Sequence, residues 1–293
     1  MFSSFNPLTN SVQETEPRTH QPFDGWSLDD RDVTAIKSWM PIWEWFYHHY
    51  FRVKIQGWEH IPPEGRMLMV GSHNGGLASP DMFMSMYAWF RRFGPERLAY
   101  GLMHPNVWKV APEIAKQAVQ CGALIAHPKT AMAALRREAA VLVYPGGGDD
   151  AFRLHRLRHQ IYLAGRKGFI KLALREEAPI IPIISCGAHD TLMVVADCYE
   201  FMQQLHQGGM PWLFGVDPTI FPIYVGFPWI LGVGPIPNLP LPMPIHLRIC
   251  PPILFSKYGR EAANDREYVD ACYETVVMEM QKQLDDLVAS VSV

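Results

Sequence analysis

The residues best suited to chemistry lie in Met67-Leu-Met-Val-Gly-Ser-His-Asn-Gly-Gly-Leu-Ala-Ser-Pro-Asp81. An apolar run ends at Val70. A turn follows, carrying His73, Asn74, Gly75 and Gly76, and Ser79, Pro80 and Asp81 then open a helical pattern. Imidazole changes charge near neutral pH, which suits it to take a proton from a substrate hydroxyl. A carboxylate at Asp81, in the first turn of the next helix, is placed to fix the imidazole tautomer and stabilise the imidazolium. Gly75 and Gly76 let a substrate approach the backbone closely. A turn histidine that only hydrogen-bonds is the competing reading, and spacing alone leaves both open. In Gly71-Ser-His-Asn-Gly75 the central residue is His, so no serine takes the nucleophile-elbow position and covalent serine catalysis is not supported.

A second landmark is Ala140-Val-Leu-Val-Tyr-Pro-Gly-Gly-Gly-Asp-Asp-Ala-Phe-Arg153, an apolar run entering Pro145, Gly146, Gly147 and Gly148. Three consecutive glycines permit an open backbone able to bind an anion or an oxyanion. The G-K-[ST] ending of a nucleotide P-loop is missing. From Ala151 to Arg175 there are seven Lys or Arg and no acid, an anion-site candidate with an ordinary solvated helix face as its alternative. The third landmark, Ala178-Pro-Ile-Ile-Pro-Ile-Ile-Ser-Cys-Gly-Ala-His-Asp190, reads as a buried strand. His189 and Asp190 read as a capped helix start. No H-E-x-x-H or comparable spacing occurs, so no metal site is predicted.

These loops need a scaffold that brings them to one edge. Short apolar runs predict strands at 51–55, 66–70, 98–101, 122–125, 140–144, 179–185 and 245–250. Helical patterns lie between them at 80–92, 105–120, 129–138 and 160–177, with further helices at 190–207 and from about 265. Such alternation implies an α/β fold with a central, mainly parallel sheet flanked by helices, and such sheets bind ligands beyond the carboxyl ends of their strands. The last helix carries one apolar stripe: Val269, Cys272, Val276, Met280, Leu284 and Leu287. Ahead of the sheet, Val33, Ile36, Met40, Trp43, Tyr47 and Tyr50 repeat at helical spacing, while Trp39, Ile42, Trp45 and Phe46 make the other face apolar too. A helix apolar all round is buried or lies in lipid, and Trp and Tyr favour the headgroup level. Pro41 should kink it or start a second helix. The uncharged stretch 218–245 is long enough to span a bilayer. Its eight prolines leave a set of packed extended pieces or an interfacial loop instead.

Composition narrows the function classes. Lys plus Arg total 26 against 29 Asp plus Glu, a formal charge of −3, which argues against a general nucleic-acid binder. With 12% aromatic and only 19% charged residues, an apolar partner such as a membrane surface is expected. Five cysteines without C-x-x-C spacing predict free thiols in a reducing compartment. No signal peptide is visible in the first residues, so secretion is not expected.

In this order the three landmarks, with the lead-in Tyr50-Phe-Arg-Val-Lys-Ile-Gln-Gly-Trp-Glu-His-Ile-Pro62, resemble the glycerolipid and lysophospholipid acyltransferase superfamily over about residues 39–250. The His-x-Gly-Gly-Leu and Pro-Gly-Gly sequences are similar to its mono- and diacylglycerol acyltransferase-like branch. Seven residues separate His73 from Asp81 where the superfamily has four, and Pro145-Gly-Gly-Gly-Asp-Asp-Ala-Phe-Arg153 stands where it has Pro-Glu-Gly-Thr-Arg.

The resemblance implies a membrane-associated enzyme that moves a fatty acyl group from a coenzyme A or acyl-carrier-protein thioester to a lipid hydroxyl, without a cofactor. His73 would be the general base, paired with Asp81. Asn74, Gly75, Gly76, Pro145, Gly146, Gly147, Gly148 and Arg153 would bind substrate, Arg153 being the candidate for a phosphate. Loss of the Glu-Gly-Thr-Arg block points to a neutral acceptor such as diacylglycerol or an isoprenoid alcohol. A lysophosphatidate or lysophospholipid acceptor is the alternative, and a non-catalytic lipid-binding protein or a lipid hydrolase are readings from other classes. The expected organisation is a disordered polar arm at 1–28, aromatic interfacial helices at 29–50 facing the membrane, and an acyltransferase α/β domain at 51–293. The expected location is the cytoplasmic face of a membrane, held peripherally.

Overall fold

The computed structural model describes residues 22–212, 215, 217–228 and 230–291. Ten strands are described: β1 (Lys54–Gln56), β2 (Met67–Gly71), β3 (Ala99–Met103), β4 (Ala123–Ile125), β5 (Ala140–Val143), β6 (Ile180–Cys186), β7 (Met193–Asp197), β8 (Pro222–Gly226), β9 (Ile230–Val233) and β10 (His246–Ile249). The helices are α1 (Val33–Trp45), α2 (Pro80–Phe93), α3 (Asn106–Val110), α4 (Pro112–Gln120), α5 (Pro128–Arg136), α6 (Gly147–Ala151), α7 (Gly168–Arg175), α8 (Tyr199–Gln207), α9 (Gly259–Asn264) and α10 (Arg266–Val291).

Seven strands form the main sheet in the order β1-β10-β6-β2-β5-β3-β4. All neighbours pair in parallel except β10 and β6. The strands sort their side chains by the period of two. Leu68, Val70, Val141, Ile180 and Ile184 face a core shared with α5, α7 and α10. Met67, Met69, Ala140, Ile181 and Ile183 face a second core, shared with α1 and α2. A sheet covered on both faces reads as continuous apolar runs, which is why these strands were visible in the sequence. The stripe predicted for α10 is buried along its whole length.

Several segments depart from expectation. Most of the arm predicted at 1–28 lies outside the described residues, but its last part packs on the body. The Trp108 indole donates to the carbonyl of Phe23 (2.9 Å), and Gly25 accepts from the amide of Ile125 (2.9 Å). The helix at 29–50 continues through Pro41 as α1 and ends in one π turn, Phe46–Tyr50. Ile36, Trp43 and Tyr47 are buried against α2, while Ile42 and Trp45 are exposed. The helix predicted at 105–120 breaks at Ala111, before Pro112, because the proline ring disfavours α geometry in the residue before it.

The largest departure is at 190–207. It opens as a short 3₁₀ turn, Ala188–Thr191, continues as strand β7, and becomes helical only from Tyr199. Met193 to Ala196 is the cause: Val194 and Val195 favour a pleated surface and gain a partner strand from the proline-rich stretch. There β8 and β9 form a hairpin, giving an antiparallel sheet β7-β8-β9. One face of this sheet, with Val194 and Tyr224, packs on Phe152, Leu192 and Ile220 as a third core.

Candidate active site

Strands β6, β2 and β5 are adjacent and parallel, so the loops leaving their carboxyl ends meet. These loops hold the three landmarks. The β2 loop carries Ser72, His73 and Asn74. The β5 loop carries Tyr144 through Arg153. The β6 loop carries Ala188 through Thr191.

Asp150 and Arg153 tie the loops together. The buried Asp150 carboxylate accepts the backbone N–H of His73 and the Ser72 hydroxyl (3.0 Å), and it pairs with Arg153 at 2.8 Å. Arg153 directs Nη1 to the His73 carbonyl (2.7 Å), Nη2 to Asn74 Oδ1 (2.6 Å) and the Arg158 carbonyl (3.1 Å), and Nε to the Leu157 carbonyl (3.2 Å). Every nitrogen of the guanidinium therefore has a protein acceptor. Arg153, the candidate phosphate contact of the sequence, is buried here and braces the two loops.

Asn74 relays this network to Asp81. Its Nδ2 donates to the Ser72 carbonyl (2.8 Å) and to Asp81 Oδ2 (2.7 Å), while Asp81 Oδ1 accepts the backbone N–H of Met82 (2.9 Å). The His73 ring is not among the hydrogen-bond partners of Asp81. His73 and Asp81 belong to one network, but they are joined through Asn74. The ring lies 5.0 Å from the Tyr144 ring, centroid to centroid. The Ser79 hydroxyl stands 3.3 and 3.4 Å from the two imidazole nitrogens, committed to neither, and donates to the Gly76 carbonyl (3.0 Å).

The electrostatics favour a neutral imidazole. Burial, reinforced by the nearby Arg153 charge, lowers the pKa of His73 to about 4. Burial pushes Asp81 up to about 6 and Asp150 up to about 7, against the downward pull of their hydrogen bonds and of Arg153. An uncharged histidine is an acceptor in waiting, as a general base requires. His189, buried and at about 3 through burial and Arg153, donates from Nε2 to the Arg153 carbonyl (2.8 Å). It supports the brace from the β6 loop, where a helix cap had been expected.

The glycines have packing reasons. Gly76 has φ +66°, and a Cβ there would lie 2.6 Å from Leu192 and 3.0 Å from Phe152. Arg166 closes over the Gly146–Gly148 turn, donating to the carbonyls of Pro145 (3.0 Å) and Gly146 (2.8 Å) and to Asp149 (2.6 Å). The basic stretch 151–175 is largely neutralised by distant acids: Arg158 and His155 meet Asp190, Arg166 meets Asp149, and Lys167 meets Asp270. A broad anion patch is not what this segment forms.

The sequence reading missed Asp150, which it passed over as part of the glycine loop. The available signal was the Asp150–Arg153 spacing of one helical turn inside an apolar flank, where a lone charge would be costly. Among the described residues no cluster of His, Cys, Asp and Glu could hold a metal ion.

The model of the diacylglycerol acyltransferase family matches residues 29–287, and thus spans every element of this site. The chain belongs to the diacylglycerol acyltransferase family. It is therefore a lipid acyltransferase. An uncharacterized protein of Mycobacterium tuberculosis (strain ATCC 25618 / H37Rv) is 26% identical over 265 residues, covering 89% of this chain and 69% of that protein. The 2-acylglycerol O-acyltransferase 1 of Mus musculus is 24% identical over 161 residues, 53% of this chain and 47% of the mouse protein. Among solved structures, the 1-acyl-sn-glycerophosphate (LPA) acyltransferase PlsC from Thermotoga maritima aligns with TM-score 0.48 at 12% identity, over 88% of this chain and 80% of that one.

Proposed function

We propose that this acyltransferase moves a fatty acyl group from a thioester to the hydroxyl of a neutral lipid, diacylglycerol or a comparable alcohol, with His73 as general base. The acceptor oxygen attacks the thioester carbonyl carbon as a ring nitrogen of His73 takes its proton. The tetrahedral intermediate collapses, the C–S bond breaks, and the imidazolium returns the proton to the departing thiolate. Asp150 and Arg153 fix the His73 backbone, and Asp81 acts on the same loop through Asn74. The observation that carries the reading is a neutral histidine locked by Asp150 and Arg153 where three adjacent parallel strands end. The neutral acceptor is favoured over a lysophosphatidate because Arg153 has no donor left for a phosphate.

The protein meets its substrates at a membrane surface, on the cytoplasmic face. Support comes from the outer face of the small sheet, where Met193, Val225 and Leu231 line up across three strands and stand exposed beside Val195 and Val233. Antiparallel sheets normally turn polar residues to water, and a contiguous apolar patch marks an interaction surface. Among the described residues no helix is long and apolar enough to cross a membrane.

The test offers purified protein palmitoyl- and oleoyl-thioesters with a total lipid extract and reads new esters by mass spectrometry, with His73→Ala alongside. A new ester that depends on His73 supports the reading. Thioester hydrolysis without a new ester, or an ester still formed by His73→Ala, overturns it.

A further inference from the structure

Asn238 sits in the Gly-Pro-Ile-Pro-Asn-Leu-Pro stretch that follows β9. It is only 8% exposed, yet neither its Oδ1 nor its Nδ2 has a hydrogen-bond partner among the described residues. An unpaired buried amide loses its hydration and gains no bond in return. Such a cost is ordinarily relieved by rotating the side chain or shifting the loop, and here the loop is pinned. The Ile236 carbonyl accepts from the Tyr224 hydroxyl (3.3 Å), the Leu239 amide donates to Phe227 (2.9 Å), and the Leu241 amide donates to Thr191 (3.0 Å). Prolines at 235, 237 and 240 stiffen the intervening backbone.

The carboxamide is also held at the catalytic loop. Its Oδ1 lies 3.3 Å from where a Cβ on Gly76 would stand. Gly76 is three residues from His73, and the Ser79 hydroxyl bridges the Gly76 carbonyl and the edge of the His73 ring. Around Asn238 the third core is apolar, with Leu192, Phe152 and Ile236. A polar group kept unpaired in apolar surroundings is stability given up for function.

We propose that Asn238 is a specificity-determining residue for the acyl acceptor. Its Nδ2 donates one hydrogen to the acceptor's hydroxyl oxygen and the other to an adjacent ester carbonyl, which leaves the hydroxyl hydrogen to His73. Two amide hydrogens presented to neighbouring oxygens match a hydroxyl beside an ester, the pattern of an acylglycerol. It offers no charge to a phosphate. This deepens the neutral-acceptor reading and rests on it.

The test compares wild type, Asn238→Leu and Asn238→Ala with one thioester donor and two acceptors: dioctanoylglycerol, which has both groups, and hexadecanol, which has only the hydroxyl. Asn238→Leu should melt at or above the wild-type temperature. Its kcat/KM for dioctanoylglycerol should fall at least tenfold, with the donor KM unchanged. In both variants the preference for dioctanoylglycerol over hexadecanol should collapse by a similar factor. That ratio is read on one preparation and is independent of how much protein has folded. An unchanged ratio, or a donor KM that rises with the acceptor KM, overturns the assignment. Failure of the wild type to acylate either acceptor would instead overturn the acyl-transfer reading beneath it.

Discussion

Two regions enclose the candidate site, and they treat polar groups in opposite ways. The floor, made by the loops after β2, β5 and β6, pairs its charged groups: Asp150, Arg153, Asn74 and Asp81 form one network, although the buried Nδ1 of His189 beside it has no partner among the described residues. The roof, made by β7 to β9 and the proline-rich stretch, leaves an amide unpaired on its inner side and an apolar face uncovered on its outer side. A saturated network rigidifies, as a group that must be positioned to a fraction of an ångström requires. An unsatisfied surface is one that waits for something to bind. The difference divides the labour: proton transfer below, lipid handling above.

The most direct way to break this division is to remove the base. His73→Ala should lower kcat/KM by about 10²–10⁴, the usual contribution of a positioned base. Vesicle binding should stay unchanged, since the roof is intact. Co-sedimentation with phospholipid vesicles, measured beside the transfer assay, checks both halves. A parallel loss of membrane binding would show that floor and roof are one functional unit.

The network itself comes next. Asp150→Asn leaves the Arg153 guanidinium buried without its counter-charge, which should cost about 3–5 kcal/mol in urea unfolding and take activity with it. Asp81→Asn still offers an oxygen to Asn74, so it should cost less than about 2 kcal/mol and reduce kcat by about tenfold. The larger effect falls on Asp150 because that carboxylate holds the His73 backbone. If Asp81→Asn proved the more damaging for kcat at equal stability, Asp81 would be the direct partner of the imidazole in the working enzyme.

The two regions were not equally legible. The floor's strands announced themselves as apolar runs because both faces of the main sheet are buried, and His73 stood out at the end of one of them. The loop contacts did not: Asp81 was closer in sequence to the expected pairing, whereas Asp150, 77 positions away, makes the backbone contact. Chain proximity is a poor guide where three loops from separated strands converge. The roof was the least readable part. Eight prolines excluded a spanning helix in 218–245 and left packed extended pieces or an interfacial loop, without placing a strand; proline is tolerated at the first position of a strand, where Pro222 opens β8. The alternation in Met193 to Asp197 is too short to outweigh the helix that follows it.

The roof is tested by charge. Val225 and Leu231 are cross-strand neighbours on its outer face, so glutamates at both would place two charges on one spot. Burying two such side chains in an apolar phase is worth roughly 1.5–3 kcal/mol each. The double variant should therefore bind phospholipid vesicles at least tenfold more weakly. It should retain its turnover with a short-chain acceptor dispersed in detergent. Equal vesicle binding would move the membrane contact to Ile42 and Trp45 on the exposed side of α1.

The smallest expected effect is on pH, and it sharpens the account of the floor. With its pKa near 4, His73 is neutral and able to accept a proton throughout the physiological range. The acid limb of kcat/KM should therefore fall near pH 4 instead of near the ordinary histidine value of about 6.5. Stability carries the same signature. Between pH 6.5 and 4 the unfolded chain binds a proton at this position that the folded chain refuses, so the contribution of His73 to stability is lost as pH falls through that window. The raised Asp81 pKa, near 6, works in the opposite direction, because the folded state then binds the extra proton. A difference measurement isolates the histidine. His73→Gln has no proton to refuse, so its melting temperature should rise relative to wild type as pH drops from 6.5 to 4, and the gap should be constant above 6.5. A gap independent of pH would mean that the imidazole is protonated as readily in the fold as in water. The base would then work only above its ordinary pKa, and the closed floor would not be what keeps it neutral.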